Sequence, residues 1–332
     1  MKNIAIVGCG YWGKNIVRNF QRIGALGAVC DSSPDTLKKA ISSYPSLTAF
    51  QDFDKLLKDG SIEGIVIATP ASSHYDLVKK ALQSGKNVLV EKPFTTTYAE
   101  AAELTELAAK KNLVLMVGFT FIYNPAVRKV KELIDSKELG EIYYIYSRRL
   151  NLGIVRKDIN VWWNLAPHDV SIILYWLNRK ATSVNGSGFS FIQKGIEDVV
   201  FGNIRFDSGA AAQIHVSWLD PNKTREMVVI GSKKMIIYDD VSADRKVTIY
   251  DKGIDKFDDF QSFGQFQLIH RAGDVHIPKI DFKEPLEIEA QHFVDCVKNK
   301  KEPMTSAVWS LPSVRILEAV QDSIKQGKWI DI

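Results

Sequence analysis

The stretch that decides the fold is Ile4-Ala5-Ile6-Val7-Gly8-Cys9-Gly10-Tyr11-Trp12-Gly13, in which an apolar run leads directly into glycines at Gly-x-Gly-x-x-Gly spacing. The segment that follows has a helical pattern. At a strand-to-helix junction the first glycine permits a tight turn, the second lets a pyrophosphate approach the backbone, and the third lets the helix pack closely. Free N–H groups at the helix N-terminus also attract phosphate. The stretch therefore predicts a strand, a phosphate-binding turn and a helix.

The end of the next apolar run indicates which dinucleotide binds. Ala28-Val29-Cys30 ends in Asp31, whose carboxylate can accept hydrogen bonds from both ribose hydroxyls of NAD. That carboxylate would repel a 2′-phosphate, and Ser32-Ser33-Pro34 offers no arginine to hold one, although its hydroxyls could tolerate some NADP. We therefore predict NAD as the cofactor.

Length and composition narrow the class of protein. The chain has 332 residues, of which 45% are hydrophobic and 25% charged, so it can bury a large core and should form two domains. No apolar run approaches the ~20 residues that span a bilayer, and the first strand leaves no room for a secretory signal. We expect a cytoplasmic protein that does not bind membranes. A net charge of +4 without basic blocks argues against a nucleic-acid partner.

Cysteine and histidine spacing excludes two kinds of site. Cys9, Cys30 and Cys296 are unclustered, which favours reduced thiols over a disulfide framework or a zinc site. The histidines show no ligand spacing, so no metal is expected.

The apolar pattern changes near residue 120. Before it, buried runs alternate with helical stretches, which predicts a parallel sheet covered by helices. After it come helices at 125–135 and near 165–178, and then long alternating runs such as 198–206, 210–219 and 226–238, with helices again at 286–299 and 306–326. We predict an α/β Rossmann domain over residues 1–120, followed over 121–332 by an α+β domain with a large open, mainly antiparallel sheet.

Three strings at the carboxyl ends of predicted strands carry a family resemblance. They are Ala68-Thr69-Pro70-Ala71-Ser72-Ser73-His74, then Glu91-Lys92-Pro93, then Gly118-Phe119. Together with the glycine motif and the second domain, they make the whole chain similar to the glucose–fructose oxidoreductase / inositol dehydrogenase / MocA (Gfo/Idh/MocA) family. The resemblance implies an NAD-dependent dehydrogenase that acts on a CH–OH group.

The resemblance and the glycine motif together give a set of expected cofactor-binding residues. These are Gly8, Gly10, Tyr11, Trp12, Gly13, Asp31, Ser32, Thr69, Pro70, Ser73, His74, Glu91, Lys92, Pro93 and Trp163. Lys92 is also expected to be catalytic, because an ammonium can hydrogen-bond the carbinol oxygen and stabilise its alkoxide character as hydride leaves. The alternative for Lys92 is a solvated lysine at a strand end.

The string Trp162-Trp163-Asn164-Leu165-Ala166-Pro167-His168-Asp169 supplies the second catalytic candidate. If a helix begins near Asn164, Pro167 falls in its first turn, and Asn164 and His168 share one face. The family usually has an aspartate where this chain has Asn164. Since asparagine cannot exchange a proton, the resemblance assigns the general base to His168. Asn164 is either a substrate contact or the helix N-cap, and His168 could instead be structural.

The expected substrate follows from the same difference, an asparagine at position 164 where the family usually has an aspartate. Histidine with asparagine four residues earlier is similar to family branches that oxidise the 3-hydroxyl of nucleotide-linked N-acetylhexosamines or their uronic acids. A basic cluster from Arg148 to Lys157 could hold a diphosphate or carboxylate, although single loop charges are commonly just solvated. The expected substrate contacts are Lys92, Tyr123, Asn124, Arg149, Asn151, Arg156, Asn164 and His168.

The sequence therefore predicts an NAD-dependent dehydrogenase of a nucleotide-linked amino sugar such as UDP-N-acetylglucosamine or its uronic acid, serving surface polysaccharide synthesis. A reductase of 3-keto sugar nucleotides and an inositol or polyol dehydrogenase are the alternatives within the family. A non-catalytic, sugar-sensing regulator is the alternative from another class. The exposed sheet face predicts a homodimer or homotetramer.

Overall fold

The structure, a computed structural model, describes residues 3–255 and 269–332. Its helices are α1 (Gly13–Arg22), α2 (Pro34–Ser43), α3 (Phe53–Leu57), α4 (His74–Gln83), α5 (Tyr98–Lys111), α6 (Pro125–Asp135), α7 (Val161–Leu177), α8 (Pro285–Asn299) and α9 (Ala307–Gln326). Its strands are β1 (Ile4–Val7), β2 (Leu26–Cys30), β3 (Thr48–Phe50), β4 (Gly64–Ile67), β5 (Asn87–Glu91), β6 (Leu115–Gly118), β7 (Ile142–Leu150), β8 (Ala181–Phe189), β9 (Val199–Phe206), β10 (Ala211–Ser217), β11 (Thr224–Gly231), β12 (Met235–Asp239), β13 (Val247–Asp255), β14 (Ile269–His276) and β15 (Ile330–Asp331). No helix within these ranges is long and apolar enough to cross a membrane.

The chain folds into two compact units. The first comprises the residues up to Asn124 together with Lys283–Glu318, and the second comprises Pro125–Phe282 with Ala319–Ile332. The sequence expectation divides the chain once, near residue 120, and assigns everything after it to one domain. In the structure α8 belongs to the first unit, because Phe293 packs edge-on against Phe20 of α1 with ring centroids 6.4 Å apart.

The first unit contains the predicted parallel sheet. Its strand order is β3-β2-β1-β4-β5-β6, and β1 and β4 are buried at every position. Such burial is typical of strands covered by helices on both faces. The order reverses between β1 and β4, and ligands of such sheets bind at the carboxyl ends beside this reversal. The glycine loop follows β1 and therefore lies at that place.

The second unit contains the predicted open sheet. Over the described residues its order is β14-β13-β12-β11-β7-β10-β9-β8-β15. Neighbouring strands are antiparallel except β7 and β10, which run parallel. The predicted fold class is confirmed, with one parallel pair in a mainly antiparallel sheet.

The two faces of this second sheet differ. Helix α7 covers one face, where Trp162 packs so closely on β9 that a Cβ at Gly202 would lie 2.6 Å from its ring. The opposite face we call the outer face. Its residues alternate along their strands with those of the covered face, and they are Tyr144, Tyr146, Arg148, Phe201, His215, Glu226 and Val228.

Two local features of the second unit differ from what the sequence pattern predicts. The run 226–238 is two strands, β11 and β12, joined by a turn at Gly231-Ser232. The dipeptide Asn185-Gly186, of a type common in hairpin turns, lies inside β8. Glycine is required there because α9 packs against the strand, and a Cβ at Gly186 would lie 2.8 Å from Val320 and 2.9 Å from Ile324.

Candidate active site

The three glycines of the first loop have different surroundings. Gly8 has a φ of +90°, and a Cβ there would lie 2.8 Å from the carbonyl oxygen of Ala68. A Cβ at Gly13 would lie 1.8 Å from the carbonyl oxygen of Gly8, whereas one at Gly10 would meet nothing within 4 Å. The first and third glycines are thus needed for the turn and its packing. The second leaves its backbone open to a ligand at the N-terminus of α1, as a dinucleotide pyrophosphate requires.

Asp31 lies beside this loop, directly after β2. Its carboxylate accepts hydrogen bonds from the backbone N–H of Cys9 at 2.8 Å and of Ser33 at 2.9 Å. Ser32 lies between them in sequence, and its carbonyl oxygen accepts a bond from Gln51. A carboxylate has about four acceptor positions, so Asp31 retains capacity for two ribose hydroxyls while being fixed next to the glycine loop.

His74 connects the ends of β4 and β5. Its Nδ1 lies 2.8 Å from the carbonyl oxygen of Pro93, and its Nε2 lies 3.0 Å from that of Thr69. Burial lowers the pKa of this imidazole, although the two carbonyl oxygens act in the opposite direction. Thr69 also exchanges a hydrogen bond of 2.8 Å with Ser73, in the 3₁₀ turn that follows Pro70. His74 therefore holds together two of the strings that carry the family resemblance.

Glu91 is the last residue of β5 and is buried beside Lys92. Its Oε1 accepts a hydrogen bond from the Trp12 indole at 2.7 Å, which ties the glycine loop to this strand end. Burial raises the pKa of Glu91, while the Trp12 bond and the nearby Lys92 charge oppose that rise. The peptide bond between Lys92 and Pro93 is cis. Tyr11, the neighbour of Trp12, is exposed.

A second buried carboxyl group, that of Glu289 in α8, was missed by the sequence analysis. Its Oε2 accepts a bond from Thr120 at 2.8 Å, and burial together with the charge of Glu91 raises its pKa well above the usual range. A signal for it does exist in the sequence. Glu289 falls on the helical stripe of Leu286, Ala290 and Phe293, which is otherwise apolar and buried.

The two cysteines near the glycine loop are expected to be unreactive thiols. Cys9 and Cys30 are free and buried. Burial, with the Asp31 charge, raises the pKa of the Cys9 thiol to about 12 and that of Cys30 to about 11. Thiolates, the reactive form, are therefore scarce at both positions. In residues 3–255 and 269–332, no group of three or more His, Cys, Asp or Glu side chains could hold a metal ion.

Helix α7 carries the second catalytic candidate, and it begins earlier than predicted. Asn160 is the N-cap, since its side chain accepts the backbone N–H of Trp163 at 3.0 Å. The alternative that Asn164 caps the helix is therefore wrong, and Pro167 lies inside the helix rather than in its first turn. Asn164 and His168 do lie four residues apart in one helix. The indole N–H of Trp218 donates to the side-chain oxygen of Asn164 at 3.4 Å.

The basic cluster does not lie in one place. Arg148 is on the outer face, where it forms a 2.5 Å ion pair with Glu226. Arg149 points to the other face and donates two hydrogen bonds to Asp169 from a buried position. Arg156 and Lys157, in the loop before α7, are both exposed.

That loop, between β7 and α7, carries two of the expected substrate contacts. Asn151 begins it, with its backbone N–H bonded to the Ser217 carbonyl oxygen at 3.2 Å. Arg156 donates two bonds, of 2.9 and 2.7 Å, to Asp158. Both members of this pair are about half exposed, so solvent-borne anions can reach Arg156.

Tyr123 and Asn124 are buried in the first unit. The Tyr123 hydroxyl lies 3.2 Å from that of Thr305, and its ring contacts His292 at 5.5 Å between centroids. These contacts are internal to the unit. The side chains of Tyr123, Asn124 and Arg149 have interior positions, which argues against the substrate contacts expected of them from the sequence.

Comparisons with known proteins agree with this architecture. Residues 2–119 match the family described as "Oxidoreductase family, NAD-binding Rossmann fold", and residues 127–237 match the GFO/IDH/MocA C-terminal domain. The scyllo-inositol 2-dehydrogenase (NAD(+)) of Bacillus subtilis is 27% identical over 290 residues, which cover 83% of this chain and 80% of that protein.

Two solved structures illustrate the shared fold. UDP-N-acetylglucosamine 3-dehydrogenase GnnA from Acidithiobacillus ferrooxidans superposes with a TM-score of 0.81 at 21% identity, covering 97% of each chain. The WlbA dehydrogenase from Bordetella pertussis, in complex with NADH and UDP-GlcNAcA, gives a TM-score of 0.80 at 20% identity, covering 99% of this chain and 98% of the other. With both family domains matched in order, the chain belongs to the Gfo/Idh/MocA family of NAD-dependent oxidoreductases.

Proposed function

We propose that this protein oxidises a ring hydroxyl, at C3, of a nucleotide-linked amino sugar such as UDP-N-acetylglucosamine or its uronic acid. The observation that carries the proposal is the pairing of Asn164 with His168, four residues apart in α7, where the family's usual pattern has a carboxylate in place of the asparagine. UDP-N-acetylglucosamine is also the substrate named for one fold neighbour. The 3-keto sugar formed would feed the synthesis of surface polysaccharide.

Two side chains carry the proton chemistry in this proposal. The hydroxyl proton passes to His168, and Lys92, placed after β5 beside Glu91, hydrogen-bonds the carbinol oxygen while it has alkoxide character. The carbon loses its hydride and becomes a ketone, with NAD supplying the hydride acceptor. Asn164 exchanges no proton, so its amide serves only to orient the sugar.

The anionic part of the substrate is assigned to Arg156, together with Asn151. A phosphate or carboxylate can replace Asp158 as the bidentate partner of the guanidinium, since both side chains are accessible. Arg156→Gln should therefore raise KM for a nucleotide sugar more than it lowers kcat. Asp158→Asn is the matched change on the other side of the pair, and it should leave KM unchanged or lower it.

The decisive experiment is a substrate screen that follows NADH formation with UDP-, dTDP- and GDP-sugars, inositols and free hexoses. We expect kcat/KM for UDP-N-acetylglucosamine or its uronic acid to be well above that for inositol. Lys92→Ala and His168→Ala should each lower kcat by roughly two to four orders of magnitude with NAD affinity nearly unchanged, and Asn164→Ala should cost less. Normal turnover by His168→Ala would remove the histidine from the mechanism.

A second candidate, oxidation of inositol or another polyol, is favoured by the similarity to the Bacillus subtilis scyllo-inositol dehydrogenase. Oxidation of inositol without activity on any nucleotide sugar would establish it. Reduction of a 3-keto sugar nucleotide is tested by running the same screen with NADH. A sugar-sensing regulator would bind a sugar without turning over any member of the panel.

We also propose that the outer face forms a homodimer or homotetramer interface. It presents stacked aromatic pairs, Tyr144 on Tyr146 and Phe201 on His215. Aromatic residues are enriched in interfaces between subunits. A solution mass equal to one chain would contradict this.

Three buried free thiols suit a reducing compartment, and we retain the cytoplasm as the proposed location.

A further inference from the structure

Helix α7 faces its sheet with three side chains spaced seven residues apart: Trp162, Asp169 and Trp176. Trp162 packs on Gly202. Trp176 packs edge-on against Tyr238 with ring centroids 6.0 Å apart, and its indole N–H donates to the Val127 carbonyl oxygen at 2.9 Å. Both ends of the stripe are thus large aromatic groups. The middle position is a charge.

Asp169 is paired with Arg149 of β7 on the sheet face that α7 covers. Arg149 Nε donates to Oδ2 at 2.7 Å and Nη2 donates to Oδ1 at 3.2 Å, with side chains only 5% and 2% exposed. Buried ion pairs add little net stability compared with well-packed apolar side chains. They do impose direction, because two parallel bonds fix the carboxylate in the plane of the guanidinium.

The rotation of α7 matters because His168 and Asn164 lie around the helix from Asp169. At about 100° per residue, His168 is displaced by roughly 100° from Asp169 and Asn164 by roughly 140°, both towards the same side. Side-chain tips lie about 6 Å from the helix axis, so a rotation of about 10° moves the imidazole by about 1 Å. Misplacements of that size can lower a catalysed rate about 100-fold.

The backbone around His168 gives less support than an ordinary helix would. Pro167 has no N–H to donate to the Trp163 carbonyl oxygen, so one helical hydrogen bond is absent from this turn. Ser171 donates its hydroxyl to the His168 carbonyl oxygen at 2.8 Å, a local bond of the kind that competes with the backbone bonds of a helix. Side-chain anchors therefore have a larger part in fixing this turn.

We infer that Arg149 and Asp169 are a positioning pair, which sets the rotation of α7 and so the place of His168 and Asn164. The inference rests on the proposed function in one respect, the catalytic role of His168. It gives Arg149 a purpose other than the substrate contact expected from the sequence. It also gives one to Asp169, which the sequence analysis did not single out.

The test compares variants that separate stability from positioning. Arg149→Lys keeps the charge but loses the fork that makes two bonds, and the double variant Arg149→Met/Asp169→Leu replaces the pair with apolar groups. Each should lower kcat for the best substrate of the screen about 10- to 100-fold while changing the Kd for NAD less than about twofold. The double variant should do so at unfolding stability equal to or above wild type. Asp135→Asn, at an exposed aspartate of α6, is the control and should change neither.

A spectroscopic readout makes the test independent of the substrate. In protein with ¹³C-labelled histidine, the His168 signal is assigned by its loss in His168→Ala, and it should shift or broaden in both pair variants while the His74 signal stays in place. An unmoved His168 signal overturns the inference, and so does kcat within about twofold of wild type in both variants when His168→Ala is itself impaired. If His168→Ala itself keeps normal turnover while the His168 signal moves as expected, the proposed function fails and the positioning of α7 stands.

Discussion

The substitutions Gly10→Ala and Gly13→Ala should have different effects: the first should weaken NAD binding and the second should lower folding stability. The Cβ of Gly13→Ala would lie 1.8 Å from the Gly8 carbonyl oxygen, whereas ordinary contact begins near 3.4 Å. Gly8 has little room to move away, because it is itself packed against the end of β4: a Cβ built on Gly8 would lie 2.8 Å from the Ala68 carbonyl oxygen. Overpacking of a rigid backbone typically costs about 1–3 kcal/mol, and we expect Gly13→Ala to lie at or above the upper end of this range.

Gly10→Ala should behave differently, because its Cβ would meet nothing within 4 Å. The unfolding free energy should stay constant or rise by about 0.4–1 kcal/mol, since alanine restricts the unfolded chain. The added methyl group would occupy the approach of the pyrophosphate. The Kd for NAD should therefore rise at least tenfold, which corresponds to about 1.4 kcal/mol.

Urea denaturation and calorimetric titration with NAD measure the two effects. Gly60→Ala, between α3 and β4, is the matched control, because its Cβ also meets nothing within 4 Å and it lies outside the glycine loop. It should leave the Kd for NAD unchanged and affect the unfolding free energy as Gly10→Ala does. Undiminished NAD affinity in Gly10→Ala, or wild-type stability in Gly13→Ala, would refute the roles given to these two glycines.

Two further predictions concern Asp31 and His74. The carboxylate of Asp31 should make NAD(H) bind at least about tenfold more tightly than NADP(H), and Asp31→Asn should reduce that preference. Equal binding of both dinucleotides to the wild type would show that the role given to Asp31 is wrong. Burial lowers the pKa of His74 below 6.5, so protons bind preferentially to the unfolded chain. The contribution of His74 to folding stability is therefore complete above about pH 6.5. It is lost as the pH falls towards the lowered pKa of the folded state, at about 1.4 kcal/mol per pH unit. Urea denaturation at about pH 7.5 and about pH 5.5 should show a smaller loss in His74→Gln than in wild type, and an equal loss in both would contradict this.

The sequence determined the first unit in most of its detail. Strands β1, β4 and β5 end where the glycine motif, Ala68-Thr69 and Lys92 follow, as the sequence strings predict. Each βα segment is short, and its pattern, cap and turn residues are local, so neighbouring residues are sufficient to specify it. The family, the class of fold and the cofactor follow from these local strings.

Only the tertiary structure decided what the buried polar groups pair with. Asp169 pairs with Arg149 across twenty residues, and Glu289 lies buried near Glu91 although almost two hundred residues separate them. The structure likewise shows that Tyr123 is buried and that α8, which the sequence pattern assigns to the second domain, belongs to the first unit. Periodicity shows which side of a helix or strand is buried, but it carries no information about which distant element covers that side. That information exists only once the chain has packed, because burial and pairing energies depend on atoms brought together from distant parts of the sequence.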